Sequence, residues 1–160
     1  MNDTPQRQSW LENRIPPPLL VVLTGAAMWA IARVSPVLAI DGVWRILFGA
    51  LLAALGIAAL VSGAMEFRRA KTTISPVNPE QASSLVSGGI YRYTRNPMYV
   101  GFTAMLLGWG VTLAAPLAFL GVLAFALYVT RFQITPEERV LKSIFGREYE
   151  DYCQRVRRWL

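Results

Sequence analysis

Four apolar runs, parted by short polar breaks and one long polar connection, set the pattern of this chain. The first extends from about Leu19 to Ile40 and the second from Ile46 to Met65, each close to the roughly 20 residues that a helix needs to cross a hydrocarbon core. The third, Met98 to about Leu113, meets the fourth, about Pro116 to Thr130, across Ala114 and Ala115, which is the pattern of a helical hairpin. Both are shorter than a usual span, so their inner ends are expected to continue as helix beyond the hydrocarbon. The predicted architecture is an all-α integral membrane protein with four transmembrane helices. A cleaved signal peptide is the rival reading of the first run. Against it, apolar residues continue past Arg33 through Val37, Leu38, Ala39 and Ile40, longer than a signal's hydrophobic region.

The polar segments divide the rest. Residues 1–18 read as a mobile polar tail closed by Pro16, Pro17 and Pro18, and residues 19–160 as a single domain. Asp41, Gly42 and Arg45 form a short outer turn. The connection 66–97, with Pro76 and Pro79, is too long for a bare turn, and loops of that length inside compact domains are usually functional or disordered. Amphipathic cytosolic helices are expected over 135–158. Thr135-Pro136-Glu137-Glu138 reads as a helix start, with Thr135 as N-cap and Glu138 closing a capping box. Leu141, Ile144 and Phe145 form its apolar face, Gly146 ends it, and a second amphipathic turn carries Tyr149, Tyr152 and Val156 along the membrane surface. Arg155, Arg157 and Arg158 beside Trp159 read as an anchor at anionic headgroups.

Charge fixes the orientation. Fourteen of the sixteen Lys and Arg residues fall in the tail, the long loop and the C-terminal segment, which predicts that both termini lie in the cytoplasm. The net charge of +6 sits beside apolar segments, so membrane lipids rather than nucleic acid are the expected partners. Gly49, Ala53 and Gly56 share one face of the second span, suited to a homodimer or to packing within the chain. With no histidine and a single cysteine, Cys153, disulfides, a histidine-based triad and a transition-metal site lack their ligands. Acid or base chemistry falls to Glu, Asp, Tyr or Arg.

The stretch from Gly88 to Gly101 joins the polar loop to the third apolar run and is the first place to look for chemistry. Asn96 precedes a proline, and Pro97 suits the first turn of a helix. The free N–H groups of that turn, with Tyr91, Arg92 and Arg95 ahead of them, offer a place for an anionic ligand; an ordinary capped membrane helix with snorkelling arginines explains the same residues. In the C-terminal segment Glu137 has no capping duty, so it is the carboxylate to choose for a ligand, with a first-turn dipole role as the alternative.

Two motifs stand in order: Gly89-x-Tyr91-x-x-x-Arg95-Asn96-Pro97-x-Tyr99-x-Gly101, then Glu137-Glu138-x-x-Leu141-x-x-x-Phe145-Gly146-x-Glu148-Tyr149-x-x-Tyr152. Together, over roughly residues 72 to 156, they resemble the isoprenylcysteine carboxyl methyltransferase and phospholipid methyltransferase superfamily, in a small bacterial-type form. The resemblance implies a membrane enzyme that binds S-adenosyl-L-methionine at the cytoplasmic membrane edge without a Rossmann domain and methylates a lipophilic or lipid-modified acceptor. Carried over by motif position, cofactor contacts come from Ser83, Ser84, Leu85, Val86, Tyr91, Asn96, Pro97, Met98, Tyr99 and Glu137. Glu137, Tyr99 and Arg131 are the catalytic candidates, and Arg131 and Gln133 the substrate-binding ones. Asn96 stands where many members have His. Gln133 stands where the carboxyl methyltransferases have an Arg that holds the substrate carboxylate, and a neutral amide does not replace a bidentate guanidinium. A prenylcysteine carboxylate, a phospholipid headgroup amine and a thiol therefore stay open as acceptors. A nicotinamide-dependent reductase and a catalytically inactive scaffold are the readings from other classes.

Overall fold

The computed structural model describes residue 12, residues 14–70 and residues 84–160. Ser83, most of the long loop and nearly all of the N-terminal tail lie outside the described residues. Among these residues the chain is helical throughout: α1 (Pro17–Val34), α2 (Gly42–Arg69), a 3₁₀ turn at Gly89–Arg92, α3 (Pro97–Leu113), α4 (Phe119–Val129), a π-turn at Thr130–Ile134 and α5 (Thr135–Arg155).

α1 starts where Pro17 and Pro18 preset its first turn, and it stops short of the apolar run. Ser35 precedes Pro36 and is extended, with its hydroxyl donating back to the Ile31 carbonyl at 2.6 Å. Residues 36–40, expected as helix, are instead a non-helical strap whose Leu38 N–H donates to the Ala114 carbonyl at 2.8 Å. Asp41 then caps α2 by accepting from the Val43 N–H at 2.8 Å. α2 runs for 28 residues, about 42 Å at 1.5 Å per residue, and so outreaches a hydrocarbon core of about 30 Å at both ends.

α2 and α3 pack along a glycine seam. Gly49, Gly56 and Gly63 recur every seventh residue on α2 and are buried. A methyl group at Gly56 would stand 2.5 Å from the Gly101 carbonyl oxygen, and one at Gly108 would stand 2.5 Å from that of Gly49, so the backbones touch where side chains would otherwise separate them. The small-residue face that suited a homodimer is thus covered by α3. On the other side of α3, α1 and α4 close a core around Met28, Leu106, Phe125, Val129 and Ile134.

Among the described residues three helices are long and apolar enough to cross a membrane: α1, α2 and the run Pro116–Arg155; α3 is a shorter apolar helix. Their outer faces expose Leu23, Trp29, Phe48, Leu55, Leu120 and Leu127 among many others, far more apolar surface than water tolerates. The protein is an all-helical integral membrane protein.

The C-terminal half departs from expectation at one point. Thr135 is not an N-cap, because the helix passes unbroken from α4 through the π-turn into α5. Pro136 lacks an N–H and would clash with the carbonyl four residues back in a regular helix; the wider π-turn, with Thr135 N–H bonded to the Thr130 carbonyl, absorbs it. The Thr135 hydroxyl also donates to that carbonyl at 2.7 Å, and Glu138 is released from any capping box. Gly146, at φ +50° and ψ −121°, breaks α5 into two helical stretches, a conformation only glycine adopts readily.

Candidate active site

The site forms where the ends of α2 and α5 meet the entry to α3. Gly89 takes φ +54° against α2, and a side chain there would run into the Glu66 carboxyl, which Arg69 holds at 2.7 Å. This close approach lays the 3₁₀ turn on α2, with the Tyr91 ring edge-on to Phe67 at 5.6 Å. The Tyr152 hydroxyl reaches from α5 to donate to the Tyr91 carbonyl at 2.8 Å. Asn96 begins α3 without a side-chain cap, so the first-turn N–H groups of Met98 and Tyr99 have no partner within the helix.

These elements enclose a cavity of about 100 Å³. Of the residues expected in a site, Ser84, Leu85, Val86, Tyr91, Asn96, Met98, Tyr99 and Glu137 line it. Across it the Tyr99 hydroxyl donates to Glu137 Oε1 at 2.8 Å. Burial pushes the Glu137 carboxyl up to about 7; the Tyr99 hydrogen bond pulls it down and the neighbouring Glu138 charge pushes it up further. Glu137 lies beyond the apolar part of its helix. Burial likewise raises the phenols of Tyr91, Tyr149 and Tyr152 above their ordinary range, so all three are neutral and present ring faces and hydroxyl donors.

Other expected residues stand elsewhere. Pro97 is buried against Gly63, outside the lining. Arg131 is largely exposed, 5.6 Å over the Phe132 ring and 3.9 Å from Glu12. Gln133 is buried and donates to the Ile15 carbonyl at 2.7 Å, with its own Oε1 unpartnered. Neither of these two lines the cavity. The Asn96 amide donates to the Arg158 carbonyl at 2.9 Å.

The cavity also contains Phe67, Glu138, Leu141, Tyr149 and Tyr152, which the sequence reading did not assign to a site, and Arg95, which it set before an anionic ligand at the start of α3. Tyr149 and Tyr152 belonged to the second motif but were expected to face lipid. Arg158, expected among headgroups, grips Glu138 at 2.6 and 3.0 Å, and Glu138 also receives Arg95 at 2.8 Å. The signal was present in the two adjacent glutamates: two carboxylates in a half-buried helix turn need counter-charge, and Arg95 and Arg158, read as facing an anionic ligand and headgroups, supply it.

Apolar helices, a partly enclosed carboxylate and neutral tyrosines meet at this cavity in an integral membrane protein. The chain belongs to the phospholipid methyltransferase family, whose family model matches residues 44–148, and with it to the superfamily that includes the isoprenylcysteine methyltransferases. Protein-S-isoprenylcysteine O-methyltransferase B of Arabidopsis thaliana is 34% identical over 116 residues, covering 71% of this chain and 57% of that protein. Protein-S-isoprenylcysteine O-methyltransferase of Schizosaccharomyces pombe is 43% identical over 75 residues, 45% of this chain and 30% of that protein. An uncharacterized protein of Haemophilus influenzae is 49% identical over 63 residues, 39% of this chain and its own full length. The chain thus spans between 30% and 57% of these two named methyltransferases. No solved structure matches it.

Proposed function

We propose that this chain is a methyltransferase that uses S-adenosyl-L-methionine to methylate a lipophilic or amphiphilic acceptor at the cytoplasmic edge of a membrane. The observation that carries the reading is the Tyr99–Glu137 contact across a cavity that gathers both motif segments and Ser84–Val86. In this reading α1, α2, α3 and the apolar run 116–130 are four spans, both termini are cytoplasmic, and the mouth of the cavity faces the cytoplasmic headgroups.

The donor set suits the cofactor. Arg95 Nε is buried at the cavity wall without a partner, beside the free N–H groups of Met98 and Tyr99, and together they suit a carboxylate. Ionised Glu137 suits an ammonium, and the tyrosine rings suit adenine. The enclosed space is smaller than the roughly 300–1,000 Å³ of small-molecule sites, so the lining must open to admit the cofactor. The cofactor supplies a methyl group activated on a sulfonium. The chain's part is to align an acceptor with that methyl and to exclude water.

A carboxylate acceptor has no cation waiting at position 133, where the Gln133 amide is committed to the Ile15 carbonyl. An amine or thiol acceptor must lose a proton, to Glu137 where it is not held by an ammonium, to Tyr99 or to solvent. A headgroup amine or thiol is therefore the second reading beside the prenylcysteine carboxylate. Calorimetric titration of the detergent-purified protein with S-adenosylhomocysteine tests the cofactor site. Binding should weaken at least about tenfold in Glu137→Ala and in Tyr99→Ala, the loss of one charge-assisted contact. Absence of binding by the well-folded native protein overturns the reading in favour of an inactive scaffold.

A further inference from the structure

Residues 157 and 158 cross the entry to α3. The carbonyl of Arg157 accepts from the Arg95 N–H at 2.9 Å. The carbonyl of Arg158 accepts from the Thr94 hydroxyl at 3.3 Å and from the Asn96 amide at 2.9 Å. The Arg158 guanidinium then turns to Glu138 as a two-pronged clamp, Nε to Oε1 at 3.0 Å and Nη2 to Oε2 at 2.6 Å. Arg95 Nη2 takes the same Oε1 at 2.8 Å. One carboxylate is thus shared by two guanidiniums, one from each end of the site, and Arg158 itself does not line the cavity.

We propose that Arg158 is a positioning residue of the site: from outside the cavity it fixes Glu138 and Arg95, and through them the place and the charge balance of Glu137. The proposal rests on the methyltransferase reading only for the word "site"; the coupling it describes is a property of the protein alone. The mechanism is electrostatic as well as steric. Glu138 adjoins Glu137, and an unbalanced charge there would oppose ionisation of Glu137. Two bonded arginines balance it. The groups that face this pair are Tyr91 from the 3₁₀ turn, Tyr99 from α3, Arg139, Tyr149 and Tyr152 from α5, and Arg95 and Arg158; Glu66 of α2 stands beyond Tyr91 and Cys153 beyond Tyr149. Lys142 and Glu150, on the outer side of α5, pair with each other at 2.8 Å.

The test follows the carboxyl stretch of Glu137 by infrared difference spectroscopy against Glu137→Gln, in the full-length protein without cofactor, as pH is varied. Arg158→Gln should raise the midpoint of Glu137 by about one pH unit, the usual scale for an added like charge, and Arg158→Lys should restore much of it. A merely structural role gives the opposite sign: an opened site hydrates Glu137 and lowers its midpoint toward an ordinary carboxylate. An unchanged or lowered midpoint in Arg158→Gln overturns the proposal. If Arg158→Gln does not fold, the folded Arg158→Lys decides, since a midpoint equal to native supports the charge role and a lowered one refutes it. Binding of S-adenosylhomocysteine by the native protein is measured separately, so failure of the methyltransferase reading leaves this result standing.

Discussion

At the scale of single residues, Glu137 is the group whose behaviour is easiest to predict and to check. Its folded titration point, about 7, lies above the value of an unfolded glutamate, so between roughly pH 4.5 and 7 the folded state holds more protons than the unfolded one. Stability contributed by the neutral carboxyl is therefore full at pH 4 and falls as pH rises through that window, by up to about 3 kcal/mol. Glu137→Gln should remove this slope: its melting temperature should exceed that of the native protein at pH 8 and match it near pH 4.5. Tyr99→Phe works in the other direction. It deletes a donor that favours ionised Glu137, worth about 1.5–3 kcal/mol for a hydrogen bond to a charged group, so the midpoint of Glu137 should rise above 7 and be seen by the same infrared titration. If an ammonium pairs with ionised Glu137 in the bound state, affinity for S-adenosylhomocysteine should fall about tenfold per pH unit below 7 in the native protein and stay flat in Glu137→Gln.

At the scale of elements, the α2–α3 seam is where sequence and packing agree most directly. Gly56→Ala places a methyl group 2.5 Å from the Gly101 carbonyl oxygen, and backbone on both helices must part to accept it. Overpacking of this kind costs about 1–3 kcal/mol, whereas Gly42→Ala, with open space around it, should be neutral or slightly stabilising; thermal unfolding in detergent compares the two. The seam also shows what could be read from sequence. Small residues on one helix face announced close packing, but not whether the partner was α3 or another copy, because Gly101 was read only as part of a motif and Gly108 was not singled out. The start of α3 at Asn96-Pro97 was equally legible, since proline chemistry is local. The end of α1 was misplaced because Pro36 sits inside an apolar run, and hydropathy counts it without regard to its missing N–H. Pro136 misled in the same way: read as a helix start, it sits inside a continuous helix because a π-turn, which has no local sequence signature, makes room for it. That error put Glu138 in a cap and hid its two arginines.

At the scale of the whole molecule, the distribution of charge and the length of α2 make one statement that the single cysteine can test. α2 ends in Arg68 and Arg69, the C-terminal segment carries the densest cations, and the opposite ends of the helices bear only Arg33 and Arg45. Arg33 packs its guanidinium 5.7 Å over the Trp29 ring, as a residue does when it must reach an interface from within a span. The excess of cations on one side predicts that α5 and the strap at Arg157–Arg158 face the cytoplasm. Cys153 lies on α5, half-buried and without a disulfide partner, so it reports that side without any added label site. A membrane-impermeant maleimide should leave Cys153 unmodified in intact cells and modify it in inverted membrane vesicles. A Cys153→Ser, Asp41→Cys variant should give the reverse pattern, because Asp41 caps the outer end of α2. Modification of Cys153 from outside would invert the topology, and it would separate the cavity from the cytoplasm where S-adenosyl-L-methionine is made. A single labelling experiment thus bears on the fold and on the function together, since the entry to α3, the clamp on Glu138 and Cys153 all belong to the same end of the helices.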